Sequence, residues 1–315
     1  MPTQVPIEVF RIGHTVVDKE EVARWMQHIG AKEFEIPPEE TVTNPALLIA
    51  LAEKRCYMSF QKGLNPNVNR IRQDYVAYFD NILASGHGSV LEHAVYNFAI
   101  EGISRVFTAE MNRHRAGWAI SEGSLRFIRF GDNIPYWEPD SIKGPDVKCV
   151  TEQLDEGIYD IVDGGTVAFD FAQLARFMRE EKAEGHSAAW SLDAKRHWSR
   201  VVFSRAFMAQ EQAYQALEAI WADELAPDSK FAEKKQITSM MRRIIGLGVA
   251  TGGVWSGNIR ALRHVFAMRS SPAAEEEMIH VFSRVVKVMA DKEPLLFGDF
   301  HLNEHGYWVP RFVKV

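Results

Sequence analysis

Four residues, Ala94, Tyr96, Phe98 and Ile100, alternate along EHAVYNFAIEG, and this two-residue period stands out in a chain otherwise patterned for helix. Alternation of this kind gives a half-buried strand. Around it the spacing is helical. DKEEVARWMQHIG opens on Asp18 as N-cap and stops at Gly30. NPALLIALAEKRCYMSF puts Asn44 at the cap and Pro45 at the first helical position. VNRIRQDYVAYFDNILASGHG is a third helix pattern, and SRVFTAEMNRHR, capped by Ser104, follows the strand. LRFIRF reads as a second short strand. Residues 131–165 are rich in Pro, Gly and Asp and read as loop with short elements. From about 168 to 225 the chain is helical, with Phe203, Phe207, Tyr214, Leu217 and Trp221 on one face as core. FAEKKQITSMMRRIIGL is a further helix, ended by the small residues of GLGVATGGVWSG. NIRALRHVFAMR is the next, with Ile259, Leu262 and Phe266 on its apolar side. Ser271–Pro272 then caps a last helix, and Glu275, Glu276 and Glu277 suit its positive end. Few strands among many helices, without β/α alternation, predict an α+β fold.

The 315 residues suffice for one large domain, and 46% hydrophobic with 25% charged residues is the balance of a soluble globular protein. No run approaches the roughly 18–20 apolar residues of a membrane span. The start, MPTQVPIEVFRIGHT, lacks a basic segment followed by an apolar one, so no secretion signal is expected. Two cysteines, Cys56 and Cys149, suggest a reducing cytoplasm, and a structural role is expected for both. A net charge of −6 disfavours nucleic acid as partner. The histidines form no zinc-binding spacing, so no metal is expected. Gly246, Gly248 and Gly252 have the wrong spacing for a dinucleotide loop and follow a helix pattern, so they read as a helix stop.

Four polar clusters remain: His87, Ser89, Glu92 and His93; Arg113–His114–Arg115; Glu122, Ser124 and Arg126; and the run from Asn258 to Arg269, in which Arg260 and His264 lie one turn apart. Arg242 lies just upstream of the last. Each alone has a structural explanation, since cations are favoured near helix C-termini. Together, clustered arginines with serines and histidines suit ligands carrying several phosphates, which the planar guanidinium fork recognises.

The ordered motifs resemble those of the flavin-dependent thymidylate synthases. The family pattern R-H-R-x-x-S-x-N-E-x-S-x-R-Y is met by Arg113, His114, Arg115, Glu122, Ser124, Arg126 and Phe127. FAIEGISRVFTAEMNRHR, GHGSVLEH and NIRALRHVFAMR extend the likeness over about 85–129 and 241–297. This sequence departs from the pattern by one extra residue between Arg115 and Glu122. Trp118 lies near the replaced serine, Ser121 stands where Asn is usual, Phe127 where Tyr is, and Glu110 where Gln is common.

The resemblance implies a single domain over 1–315, with a mixed or antiparallel sheet, long helices and a helical insertion at about 140–225. It implies methylation of C5 of dUMP to give dTMP, with 5,10-methylenetetrahydrofolate as carbon donor and NADPH-reduced FAD as hydride donor. It implies Arg269 as the catalytic residue. Ser89, Arg113, His114, Arg115, Glu122, Asn258, Arg260 and His264 would contact the flavin. Glu110, Arg113, Glu122, Gly123, Ser124, Leu125, Arg126, Arg242 and Arg269 would contact the nucleotide, with His87 at the folate and flavin entrance. It also implies a cytoplasmic homotetramer with shared active sites. Methylation of UMP or another pyrimidine nucleotide is the alternative that the altered loop motivates. A flavin- or nucleotide-binding protein without catalysis is the alternative of another class.

Overall fold

The computed structural model describes residues 3–130, 133–145, 159–162, 166–185 and 191–314, with the backbone alone for 159–162 and 166–169. Cys149 and part of the expected 131–165 loop lie outside the described residues. Two compact units emerge: Ile7–Glu122 with Gly252–Val315, and Met1–Pro6 with Gly123–Thr251. No helix of the described residues is long and apolar enough to cross a membrane.

The first unit carries a four-stranded sheet in the order Glu8–His14, Val95–Ser104, Ala250–Asn258, Trp118–Glu122. The expected alternation forms the second strand, and its Tyr96, Phe98 and Ile100 are buried. The Glu8–His14 strand runs antiparallel to it, with a register shift between Arg11 and Gly13. Against the sheet strand residues lie helices Arg105–Met111, Ile259–Arg269 and Glu276–Lys292. Phe107 stacks on Phe282 at 5.9 Å and meets the edge of Trp255 at 6.1 Å. Phe266, fully buried, touches Phe282, Phe297 and Phe300. Burial of each such ring contributes about 1.5–3 kcal/mol.

Several sequence expectations fail here, first a strand and then a helix cap. GLGVATGGVWSG is not only a helix stop, because Ala250–Asn258 is an inner strand of the sheet. Its glycines admit close neighbours: a Cβ on Gly253 would lie 2.3 Å from the Ser121 carbonyl oxygen, and one on Gly252 would lie 1.7 Å from Glu101 Oε2. The missing side chains erase the alternation by which a strand is recognised. Gly253→Ala is therefore expected to destabilise the protein by about 1–3 kcal/mol, because the obstacle is backbone. Gly252→Ala should cost less, since the Glu101 side chain can swing away. Urea midpoints of the two variants would settle the order. The second failure is the cap of helix Asn44–Tyr57, which is Thr43, whose Oγ1 accepts from the Ala46 amide. Asn44 instead accepts from the Val17 amide through Oδ1 at 3.1 Å.

Other ends differ as well. Helix Lys19–His28 is capped by Asp18 as expected, but the third helix starts only at Tyr75, after Asp74. Glu275, not Ser271–Pro272, caps Glu276–Lys292 by accepting from the Glu277 and Met278 amides. Glu277 is buried there, with Oε1 accepting from the Ser104 amide at 2.5 Å and Oε2 from the Ser104 hydroxyl.

The second unit holds helices Phe171–Ala183, Leu192–Ile220, Ala222–Leu225 and Phe231–Met241. Two strands, Tyr159–Val162 and Thr166–Phe169, pair antiparallel within the region expected to be a helical insertion. LRFIRF is a turn rather than a strand, since the Phe127 and Ile128 amides both donate to the Ser124 carbonyl. On the long helix Phe207 stacks on Tyr136 at 4.5 Å. Tyr214 is buried beside Leu225, Ile237 and Met241, with Leu217 and Trp221 packed against that group. Phe203 is 37% exposed and breaks the expected core stripe.

Candidate active site

In the first unit the Arg113–His114–Arg115 triplet lies just past helix Arg105–Met111, whose N-terminus Ser104 caps by accepting from the Val106 and Phe107 amides. Arg269 is the last residue of helix Ile259–Arg269, capped by Asn258, whose Oδ1 accepts from the Ala261 amide at 2.8 Å. The fold brings these two helix ends together. Arg269 Nε donates to His114 Nε2 at 2.9 Å, and Arg269 Nη2 lies 3.1 Å from Glu110 Oε2. The other Glu110 oxygen is 3.6 Å from Arg113 Nη1. The His114 and His264 rings meet edge to face at 6.5 Å.

An arginine Nε–H can only donate, so His114 Nε2 must accept and the ring proton sits on Nδ1. Burial pushes the His114 pKa down, reinforced by Arg269, His264 and Arg113 and opposed by Glu110. The imidazole is thus held neutral beside the guanidinium. Burial also pushes the Glu277 carboxyl up to about 7, against the Ser104 hydrogen bonds.

These shifts have opposite signs in stability. As pH falls below 6.5, the usual histidine value, the unfolded chain takes up a proton that folded His114 refuses, so stability falls until the lowered value is passed. Glu277 contributes stability fully below 4.5 and loses it as pH rises through about 7. In urea titrations from acid to neutral pH, His114→Asn should remove the acid-side loss. Glu277→Gln, which keeps a neutral acceptor, should remove the loss on the neutral side. Identical profiles for wild type and both variants would contradict the assignment.

The remaining expected residues are placed as follows. Glu122 Oε1 pairs with Arg105 at 3.0 Å, a partner that the motifs did not single out, and Glu122 Oε2 is buried with no hydrogen-bond partner among the described residues. Arg260 pairs with Glu92 at 2.6 Å. Arg115 and Ser89 are exposed, Ser89 within the turn Gly88–Glu92. His87 lies 3.1 Å from Glu53 Oε1 and stacks on Tyr57. Glu53 gave no signal in sequence because it sits in an apolar helix pattern. Cys56, on the same helix, is exposed rather than packed.

In the second unit Ser124 Oγ accepts from the Arg126 amide at 3.4 Å, and Arg126 Nε reaches Ser239 at 3.3 Å. Gly123 opens this segment, and Leu125 packs against the core at Ile134, Tyr136, Phe207 and Val249. Arg242 is exposed at the end of helix Phe231–Met241.

A family model described as "Thymidylate synthase complementing protein" matches residues 39–295. The chain is 27% identical over 281 residues to a flavin-dependent thymidylate synthase of Mycobacterium avium, covering 88% of this chain and 90% of that protein. It is 26% identical over 283 residues to one of Corynebacterium aurimucosum, covering 88% and 91%. Its fold is similar to that of a UMP/dUMP methylase, PolB, from Streptomyces cacaoi bound with 5-Br dUMP. There the TM-score is 0.51 at 13% identity, over 95% of this chain and 96% of that one.

Proposed function

The chain belongs to the thymidylate synthase complementing protein family, a family of enzymes, and on that premise we propose that it methylates C5 of a uracil nucleotide, converting dUMP to dTMP. The observation that carries this reading is Arg269 held between His114 and Glu110. C5 of uracil is a weak nucleophile until electron density moves into the ring. A guanidinium fixed against the ring edge stabilises the negative charge that builds there, and arginine stays charged throughout. Neutral His114 orients Arg269 without adding a competing charge. Glu110 fixes the far end of the fork. No cysteine is required at C6, and Cys56 lies outside the motif segments.

The carbon donor is 5,10-methylenetetrahydrofolate, and FAD reduced by NADPH supplies, when bound, the hydride that completes the methyl group. The residues present fit such a cofactor. Arg113, Arg115 and Arg260 offer forked donors to a pyrophosphate. The buried Glu122 Oε2, without a partner among the described residues, can accept from a ligand hydroxyl or N–H. Ser89, His114, Asn258 and His264 complete that set. Within the first unit Glu110, Arg113, Glu122 and Arg269 hold the nucleotide; within the second, Gly123, Ser124, Leu125, Arg126 and Arg242 offer backbone and side-chain donors to a phosphate. The enzyme works in the cytoplasm as a homotetramer with shared sites, in keeping with Phe10 and Ile12 exposed on the Glu8–His14 strand. The chain is one functional domain, with the insertion at about 140–225.

Glu110 favours a second reading. Its carboxylate can accept from sugar hydroxyls, which suits a ribonucleotide, and PolB is described as acting on UMP and dUMP. The test is product mass after incubation with FAD, NADPH, methylenetetrahydrofolate and either dUMP or UMP. A gain of one CH₂ on dUMP alone fits the first reading, and a gain on UMP fits the second. No gain on either nucleotide refutes both.

A further inference from the structure

In the second unit, helix Phe231–Met241 carries Phe231, Lys235 and Ser239 at successive i, i+4 positions, so they stand in a row along one face. All three meet the same short segment. The Phe231 and Phe127 rings stack at 5.8 Å, 10° from parallel. Lys235 Nζ lies 5.4 Å from the centre of the Phe127 ring. Ser239 Oγ accepts from Arg126 Nε at 3.3 Å. The other side of the helix is fixed in place, because Ile237 and Met241 are buried beside Tyr214 and Leu225.

The segment that the row meets is a tight turn. The Phe127 and Ile128 amides donate to the Ser124 carbonyl, and the Arg126 amide donates to Ser124 Oγ. Leu125 ties it to the core at Ile134, Tyr136, Phe207 and Val249. Phe127 and Phe231 are 53% and 67% exposed, so their stack adds little to the core. Its effect is to hold the turn still. A guanidinium must meet a phosphate in a defined plane, and a free arginine side chain loses much rotamer freedom in doing so. Ser239 engages Nε, while the two Nη groups have no partner among the described residues. The plane of the fork is therefore set before a ligand arrives. Such pre-organisation strengthens binding without any added ligand contact.

We propose that Ser239 and Phe231 are positioning residues for the phosphate of the nucleotide. Ser239 sets the plane of the Arg126 guanidinium, and Phe231 holds the turn that presents it beside the Ser124 hydroxyl. Both act through that turn rather than on the ligand. The inference rests on the nucleotide-methylation reading given above, and it assigns roles to two residues that no motif marked.

The experiment measures binding and steady-state turnover of dUMP by the FAD-loaded full chain, and binding of deoxyuridine, which has the same base and sugar without the phosphate. Ser239→Ala is expected to raise both the Kd and the KM for dUMP about tenfold, with kcat at saturation unchanged. Phe231→Leu should raise them about threefold. Deoxyuridine affinity should be unchanged in both variants. Ser239→Thr, which keeps the hydroxyl, should restore dUMP binding. In an Arg126→Ala background Ser239→Ala should cost nothing further, since its effect passes through Arg126. A general structural role would weaken dUMP and deoxyuridine alike, and that outcome would overturn the proposal. So would a full additional loss in the Arg126→Ala background, or wild-type dUMP affinity in Ser239→Ala. An unmodified protein that methylates neither dUMP nor UMP would instead sink the proposed activity, and this inference with it.

Discussion

Arg269→Lys lowers kcat by about 10²–10³ in the expected result, the usual cost of removing one aimed donor from a transition-state charge. Lysine keeps the positive charge but cannot donate to His114 from Nε while reaching Glu110 from Nη2, as arginine does. The loss should therefore fall on kcat, with little change in the dissociation constant of FAD. His114→Gln should produce a smaller loss of the same kind, since its amide can still accept from Arg269. Steady-state kinetics with flavin absorbance as a loading control would check both. A lysine variant with undiminished kcat would remove Arg269 from the chemistry and leave it as a structural end to its helix.

The second large effect concerns stability. Arg263 lies on the same helix as Arg260 and His264 but is buried at 2% exposure. Its guanidinium grips Asp299 at 2.7 and 2.8 Å and donates to the Leu296 and Phe312 carbonyls at 2.6 and 3.2 Å. The same cation lies 5.0 Å from the centre of the Phe300 ring. Arg263→Met leaves the Asp299 carboxylate buried and unpaired, which costs about 3–5 kcal/mol. Arg263→Met combined with Asp299→Leu should recover most of that loss, because an apolar pair of similar volume is tolerated where half an ion pair is not. Denaturant midpoints of the single and double variants would show it. Equal destabilisation in both would mean that the two carbonyl contacts, rather than the charge pair, hold the C-terminal segment.

What sequence made legible depended on how local the signal was. The Tyr96, Phe98 and Ile100 strand, the Asp18 and Ser104 caps and the helix bearing Arg260 and Arg269 are written in neighbouring residues, and all are found in place. The cap of helix Asn44–Tyr57 falls on Thr43 rather than on Asn44 although both are good capping residues. The choice was made by the distant Val17 amide, which engages Asn44. The glycine-rich strand was misread because close packing against Ser121 and Trp118 required residues with no side chain to show a period. LRFIRF has strand composition, yet the turn around the Ser124 carbonyl leaves Phe127 exposed, stacked on Phe231 at 5.8 Å. At the candidate site, motifs marked Arg269 and His114 but not their mutual contact. Arg105 and Glu53 were missed because each carries meaning only through a partner far away in sequence.

Asn258 illustrates what such sharing does to later change in the molecule. Its Oδ1 closes the first turn of the helix bearing Arg260 and Arg269, and its backbone amide donates to the Gly117 carbonyl at 3.0 Å. Gly117, in a left-handed conformation at φ +75, leaves no room for a Cβ, which would fall 2.7 Å from Asn258 Nδ2. The cap limits which side chains can replace Asn258, while its backbone contact to Gly117 is open to any residue but proline. Aspartate, serine and threonine preserve the cap but give up the amide N–H groups. In a population of variants, position 258 should then drift only among those, and a survivor that still binds FAD would show that the proposed flavin contact does not need the Asn258 Nδ2 group.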